Sequence, residues 1–402
     1  QYGHFASADL HVHMNYGGHY HNTPDNLIEQ ARAEHLDAVY NLIVNKEERV
    51  PDVSQFTTQP LRKGGMLLMQ GQEFHSSYWG HLGLLDLDDH FLTPDFSAYR
   101  ETALSSAYPH NGVIAGLAHA QHGLVGCAHP FDEPVNPDKD LKLSNAFPAD
   151  VALGNADYYE LVGFSDHRST ADIWYRLLNL GFRVPAGAGT DAMTNYASLR
   201  GPVGMNRVFI AIPGETTPEK LHSGLKQGRT FVSNGPMLGL DMDGKHPGDE
   251  ITLAQPTTLS YHASLRSIVP VDHFELIFNG RVIASHRLDG ARTQADVSGN
   301  IEILASGWLV LRAWNDHADP KVQDIYPYAS TSPVYVTVDR QPPRSPEDAT
   351  YFVSWLDRVI ADATARSDYN SAQEKQNTLQ YLSAARTVFQ TRTETDRSKA
   401  LR

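Results

Sequence analysis

The sequence predicts an α/β fold over residues 1–235, a small antiparallel β-sandwich over 236–340, and a linker with two C-terminal helices over 341–402. Three observations carry this reading. Short apolar runs alternate with helix-like stretches through the first part. From about Pro236 the helical periodicity gives way to alternating runs between turn signals. A proline-rich stretch, 341–346, then precedes two amphipathic helical patterns.

Taken in order, the apolar stretches 38–44, 66–70, 124–128, 158–163, 184–188 and 208–212 have the length and composition of buried parallel strands. Thr23-Pro24 and Thr217-Pro218 place a capping hydroxyl just before a first-turn proline, and Gly123, Gly181 and Gly228 stand where helices should stop. Repeated βα units of this kind suit either a closed barrel or a doubly wound sheet. Beyond Pro236, the runs 259–265, 273–278, 308–314 and 334–338 alternate in hydropathy, and Asn279-Gly280 marks a hairpin turn. Together they make a segment of about 100 residues, the size of a sandwich domain. Ser345-Pro346 can start a helix running to Arg366, and a second helical pattern spans 371–390.

With 402 residues the chain can bury at least one large core. Hydrophobic residues at 41% and charged residues at 20% are ordinary for a soluble globular protein, and no run approaches the roughly 18 apolar residues of a membrane helix. The formal net charge of −14 argues against a nucleic-acid partner, because phosphate binding relies on clustered Lys and Arg. Cys127 is the single cysteine, so neither an intrachain disulfide nor a thiolate metal cage can form. The chain opens at Gln1 without a Met, as expected where a signal peptide has been removed or the start trimmed, which leaves a periplasmic or secreted and a cytoplasmic location both open. A small-molecule substrate is expected, and a homo-oligomer is left open.

Thirteen of the 20 histidines fall within the first 129 positions, which directs the search for a metal or proton-transfer site there. His21, His35 and His90 read as scattered loop residues. In Asp9-Leu10-His11-Val12-His13 the period of a strand sends Asp9, His11 and His13 to one side. In a barrel that side is the interior near the strand's C-terminal end, where catalytic groups collect. Asp9 then has a natural role as acceptor for an imidazole N–H. Three further segments repeat the pattern of apolar strand followed by ligand-type residues. The run 66–70 leads into Glu73, His75 and, after Gly80, His81; 124–128 leads into His129; and 184–188 leads into Gly189-Thr190-Asp191. Four strand ends that all deliver such residues point to a shared metal site. Histidine and carboxylate ligands without thiolate suit zinc, manganese or iron.

The series Asp-Leu-His-Val-His, Gly-Gln-Glu, Gly-His-Leu, Ala-His-Pro and Gly-Thr-Asp-Ala, in this order over residues 9–192, resembles the PHP (polymerase and histidinol phosphatase) superfamily of metallohydrolases. More narrowly, 11–18, 41–47, 189–193 with 198–202, and 201–236 look like its carbaryl-hydrolase-like branch. The resemblance implies a distorted (β/α)7 barrel followed by a β-domain, and hydrolysis of a carbamate, amide or ester bond. It also implies a ligand arrangement, with His11 and His13 holding one ion together with Asp191, and Glu73 bridging to a second ion held by His81 and His129. Two positions depart from the superfamily. Val44-Asn45 stands where many members carry Asp-His, and Met193 stands where many carry a histidine; both usually serve a third metal. His19 alone cannot hold an ion against water, so two divalent ions are expected, zinc first with manganese or iron as alternatives.

A hydroxide bridging the two ions would attack a carbonyl while one ion stabilises the developing oxyanion. His19 or His75, each also readable as a loop histidine, is expected to protonate the leaving group, because an imidazole titrates in the useful range. His119 and His122 share a face of a predicted helix and either line a channel or sit on its surface. Arg200 can clamp an anionic substrate group or close an ordinary loop salt bridge. Tyr16 and Asn45 are further pocket candidates. Two readings compete with carboxyl-derivative hydrolysis. One is a phosphoesterase of the same superfamily, for which Lys46, Arg49, Arg200 and Arg207 supply anion-binding groups; the other is a non-catalytic binding protein on the same scaffold. His246, His262, His273, His286 and His317 occur singly and are expected to ligate nothing.

Overall fold

The computed structural model describes residues 4–17, 19–44 and 52–393. It opens with β1 (His4–His13), α1 (Pro24–Ala33), β2 (Ala38–Ile43), β3 (Leu61–Lys63), β4 (Met66–Ser76), β5 (Leu82–Leu85) and β6 (Phe96–Ser97). There follow α2 (Asn111–His119), β7 (Leu124–Cys127), α3 (Phe147–Ala152), β8 (Tyr158–Val162), α4 (His167–Asn179), β9 (Ala186–Ala188), β10 (Ala192–Met193), β11 (Arg207–Ile212), α5 (Pro218–Lys226) and β12 (Thr230–Ser233).

Parallel pairing joins β1 to β2, β2 to β4, β7 to β8 and β8 to β9, as the continuous apolar runs predict. Antiparallel neighbours interrupt that pattern, β5 and β11 among them. β5 lies antiparallel between β4 and β7, because the chain doubles back after β4, and β11 lies antiparallel beside β1. The row of strands also returns to its start. Beyond β9, Gly189 N–H donates to Val162 O at the end of β8 (3.1 Å), and Asp191 N–H donates to His11 O of β1 (2.7 Å). The ends of β1, β4, β7 and β9 therefore face a common centre.

Local chemistry sets the helix ends. The Thr23 and Thr217 hydroxyls accept from the N–H groups of Asn26 (3.3 Å) and Lys220 (3.4 Å), with Pro24 and Pro218 in the first turns. Gly181 and Gly228 take φ of 82° and 68° after α4 and α5. α2 differs from expectation. It stops at His119, and His122 rather than Gly123 takes the left-handed conformation (φ 59°), so His119 and His122 do not share a helix face. Each instead hydrogen-bonds its own carboxylate, His119 that of Asp157 and His122 that of Asp88, both at 2.7 Å.

The next part contains β13 (Met237–Met242), β14 (Glu250–Leu253), β15 (Thr257–Arg266), β16 (His273–Phe278), β17 (Arg281–Ser285), β18 (Gln294–Ile303), β19 (Gly307–Trp314), β20 (Tyr328–Thr331) and β21 (Val334–Val338). β13, β15 and β18 form a three-stranded antiparallel sheet. β16, β17, β19, β20, β21 and β14 join the large sheet, and β20 pairs with β12, so hydrogen bonding runs across residue 235 without a break. The two sheets share one apolar cluster that includes Leu240, Leu265, Phe274, Leu311 and Val336.

α6 (Pro346–Ala365) and α7 (Ala372–Gln390) complete seven α-helices among the described residues; none is long and apolar enough to cross a membrane. Phe352, Trp355, Leu356, Leu382 and Phe389 belong to the same buried cluster as Trp79, Phe147 and Trp174, so this hairpin is part of the main core. It also braces the loops after β4 and β7. Tyr78 donates to Asp362 (2.6 Å), Trp355 Nε1 to Asn145 O (3.1 Å) and Tyr351 to Val135 O (2.7 Å).

α7 is further tied to α3 through buried Asp150, which accepts from Tyr381 (2.5 Å) and from Asn111 (3.1 Å). Burial pushes this carboxyl from 3.8 up to about 7, although both hydrogen bonds pull it down. A carboxyl raised in this way contributes stability that is fully present below the unfolded value of 3.8 and is lost as pH rises through about 7. Asp150→Asn keeps the shape, and Asn111, whose Oδ1 has no partner, can turn to accept from the new amide. The variant is expected to lose less stability than the parent between about pH 5 and about pH 8.5, read as denaturant midpoints. Parallel stability profiles for the two proteins would show that Asp150 does not titrate there.

Candidate metal centre

His11 and His13 lie on the inward side of β1, both buried, as the two-residue period requires. Glu73 and His75 fall inside β4 rather than after it, because the strand runs on to Ser76. His81 follows the return loop before β5, His129 follows β7, and Asp191 follows β9. The structure brings all six expected ligands together in two groups. His11, His13, Glu73 and Asp191 form one; Glu73, His81 and His129 form the other.

The first group has the dimensions of a coordination shell. Donor atoms about 2.0–2.2 Å from one ion at tetrahedral corners lie about 3.3–3.6 Å apart. Here His11 Nε2 is 3.2 Å from His13 Nε2, 3.3 Å from Glu73 Oε2 and 3.5 Å from Asp191 Oδ1. His13 Nε2 is 3.1 Å from Glu73 Oε2 and 2.9 Å from Asp191 Oδ1. The far sides of both rings explain why a cation fits between them. His11 Nδ1 faces Glu160 Oε1 (3.1 Å) and His13 Nδ1 faces Leu42 O (2.7 Å). Both partners are acceptors, so each ring donates from Nδ1 and, in its neutral form, turns an Nε2 lone pair inward. Two lone pairs and two carboxylates meeting in a buried space need a proton or a metal ion among them. Neither oxygen of Asp191 has a hydrogen-bond partner of good geometry, which leaves Oδ1 available to an ion.

Glu73 joins the two groups through different oxygens. Oε2 faces His11 and His13, whereas Oε1 lies 2.9 Å from His81 Nδ1 and 3.0 Å from His129 Nε2. Burial opposes its charge, but His75, His11 and His81 hold the carboxyl well below its ordinary range. Asp191 is likewise lowered against burial by His11 and His13. Burial would lower His11, yet Glu160, Asp191 and Glu73 hold it well above its usual value. For His81, burial and then His75 push the imidazole down to about 3, so it is neutral at ordinary pH and able to ligate.

The backbone is shaped for this convergence. His129 and Asp191 both have positive φ, 26° and 58°, at the points where their strands end. A Cβ on Gly189 would lie 2.2 Å from His11 Cβ and 2.5 Å from Glu160 Oε1, so only glycine lets the Asp191 loop pass this close to β1.

One expectation, the role of Asp9, is corrected. Asp9 touches no imidazole; it accepts the backbone N–H groups of His11 (3.1 Å), Thr190 (2.9 Å) and Gly204 (2.8 Å), and so ties β1 to the Asp191 loop. His19 is exposed and belongs to neither ligand group. Arg207 is spent on Gly204 O (2.7 Å) and Glu34 O (3.1 Å), away from the cluster. His75 is buried, with Nε2 2.7 Å from Glu73 Oε2 and its ring stacked 4.0 Å from that of His81. The Tyr16 ring lies 5.0 Å from that of His13, tilted by 48°, and Arg200 Nη1 lies 2.6 Å from Asp191 Oδ2. Met193 is buried beside His13 in the β1–β10 pairing. Gly18, Asn45, Lys46, Glu47 and Arg49 lie outside the described residues.

Glu160 was not anticipated from the sequence. Its Oε1 meets His11 Nδ1, and its Oε2 accepts the backbone N–H of His129 at 2.5 Å. One carboxylate thus orients a residue of each ligand group. The signal was a lone acid in the apolar run Tyr158-Tyr159-Glu160-Leu161-Val162, since a buried charge requires specific partners.

No family model and no curated protein matches the chain. Solved structures with partial likeness include PsfC from Pseudomonas syringae, 12% identical over 56% of this chain and 90% of its own, with a TM-score of 0.36. The lesion-specific endonuclease PfuEndoQ from Pyrococcus furiosus is 16% identical over 56% of each chain, with a TM-score of 0.37. Endonuclease Q in complex with a 27-mer duplex bearing an abasic lesion is 18% identical over 56% of this chain and 57% of its own, also with a TM-score of 0.37. The match spans a little over half the length of the two endonuclease chains.

Proposed function

We propose that this chain is a metal-dependent hydrolase of the PHP type that holds two divalent ions and cleaves a carbamate, amide or ester bond. In this reading the strand row β1 to β9 is the distorted (β/α)7 barrel, and β13 to β21 are a β-sandwich. The observation that carries the proposal is Glu73, whose two oxygens face two separate sets of ligand-type nitrogens. Divalent ions held there, zinc first with manganese or iron as alternatives, would lower the pKa of a water enough to supply hydroxide near neutral pH.

The chain's own residues do the rest. Glu160 and Leu42 O fix the tautomers of His11 and His13, and Asp9 fixes the loop that delivers Asp191. The apolar packing around β1 and β4 keeps bulk water from the carboxylates. His75, held against Glu73, is the candidate to pass a proton to the leaving group. Anion-binding groups for a phosphoester reading are sparse. Of the described candidates, Arg200 alone reaches the cluster.

Metal analysis of the purified chain, joined to a panel of carbamate, amide, ester and phosphoester substrates, tests the proposal. About two ions per chain are expected, together with chelator-sensitive cleavage of a carboxyl derivative. Turnover confined to phosphoesters would transfer the site to that chemistry, and absence of bound metal would end the hydrolase reading.

A further inference from the structure

We infer that Arg200 is a fixed recognition site for a carboxylate on the substrate, so that the molecule cleaved is an anionic acyl derivative rather than a neutral one. The inference rests on the hydrolase reading above and adds the charge class of its substrate.

Arg200 is among the side chains around the cluster that solvent reaches. His11, His13, Glu73 and Asp191 are essentially sealed, whereas the His81, His129 and Arg200 side chains keep 14%, 11% and 27% of their surface. The guanidinium is also held in place. Nη1 is 2.6 Å from Asp191 Oδ2, the oxygen turned away from His13, so it leaves Oδ1 to the ligand group. Its Cζ lies 4.8 Å from the Phe164 ring and 5.9 Å from that of Tyr16, and its backbone N–H donates to Ser198 Oγ (3.1 Å).

A guanidinium has five donors in a rigid fork, and one contact to Asp191 leaves donors for a second planar acceptor. Its pre-set position means that little side-chain entropy is lost when a carboxylate docks. A single cation flanked by two rings matches one negative charge on a compact, partly apolar molecule better than the multiple charge of a phosphate. In a chain of net charge −14, a cation beside a carboxylate-rich centre selects for an anion only if that anion reaches the guanidinium directly. Arg200 is thus a specificity residue, distinct from the groups that hold metal.

The alternative is that Arg200 only steadies Asp191. That role would impair every substrate alike, whereas recognition changes the ratio between substrates. The test compares 4-nitrophenyl acetate with the mono-4-nitrophenyl ester of glutaric acid on the metal-saturated protein. The parent is expected to favour the anionic ester by about tenfold or more in kcat/KM, chiefly through KM, as one charge-assisted contact allows. Arg200→Gln should bring the ratio to about one, and Arg200→Lys should restore part of it. A binding arm asks the same question without turnover. Calorimetry with glutarate and with glutaramide should show preference for the acid that Arg200→Gln removes. Loss of turnover on both esters with the binding preference intact would count against the hydrolase reading and leave the anion site standing. An unchanged ratio in Arg200→Gln, or equal binding of acid and amide by the parent, would overturn the inference.

Discussion

Glu73→Gln is expected to empty both ligand groups at once. The purified variant should carry well under one ion per chain and lose more activity than the about 10–100-fold typical of a residue that only orients a ligand. The reason is that Glu73 is the only side chain common to the two groups, with Oε2 facing His11 and His13 and Oε1 facing His81 and His129. Glutamine has the same shape but loses the charge, and its amide nitrogen turns donors toward one set of lone pairs. Two dications in a buried space depend on carboxylate charge for neutralisation, and Asp191 alone cannot supply it. Asp191→Asn serves as the comparison. It weakens only the first group and should retain about one ion. Metal content by elemental analysis, beside a circular-dichroism melt to confirm folding, decides the matter. A Glu73→Gln protein that still holds two ions would remove the bridging role from this residue.

Glu160→Gln should weaken metal binding at both positions by about 10–100-fold while leaving every ligand in the chain. One oxygen of Glu160 meets His11 Nδ1 and the other accepts the His129 backbone N–H, so the residue orients one member of each group. A glutamine can accept on one side only; on the other, its N–H₂ opposes an N–H and pushes the ligand out of place. Glu160→Ala is the harsher change, because it leaves a buried imidazole N–H and a buried amide without a partner, each a loss of about 1–3 kcal/mol. The informative readout is a competition titration with a metal-sensitive dye, run separately for the tighter and the weaker ion. If only one of the two ions is affected, Glu160 serves one group and the link between the groups is absent.

The ligand types were legible in the sequence because strand geometry is local. A period of two puts His11 and His13 on one side whatever the rest of the chain does, and Glu73, His81, His129 and Asp191 each follow an apolar run. The α/β character of the first part, the capped starts of α1 and α5 and the two C-terminal helices were legible for the same reason, as each depends on neighbours within a few residues. The sequence was less informative where a residue's role depends on what packs across from it. His19 and His75 look alike as loop-side histidines, yet one is exposed and the other is pressed against Glu73.

By itself, then, the sequence determined which strand ends carry ligand-type side chains and, on β1, that His11 and His13 share a side. Only the tertiary structure decided that Asp9 holds backbone rather than imidazole, that Glu160 serves both ligand groups, and that Arg200 stands on the outer oxygen of Asp191. Those three contacts join residues as far apart as His11 and Glu160, or Asp9 and Gly204, in a buried setting where every charge must find a partner. The choice of partner is settled by which strands lie side by side when the row returns from β9 to β1, and no local pattern records that adjacency.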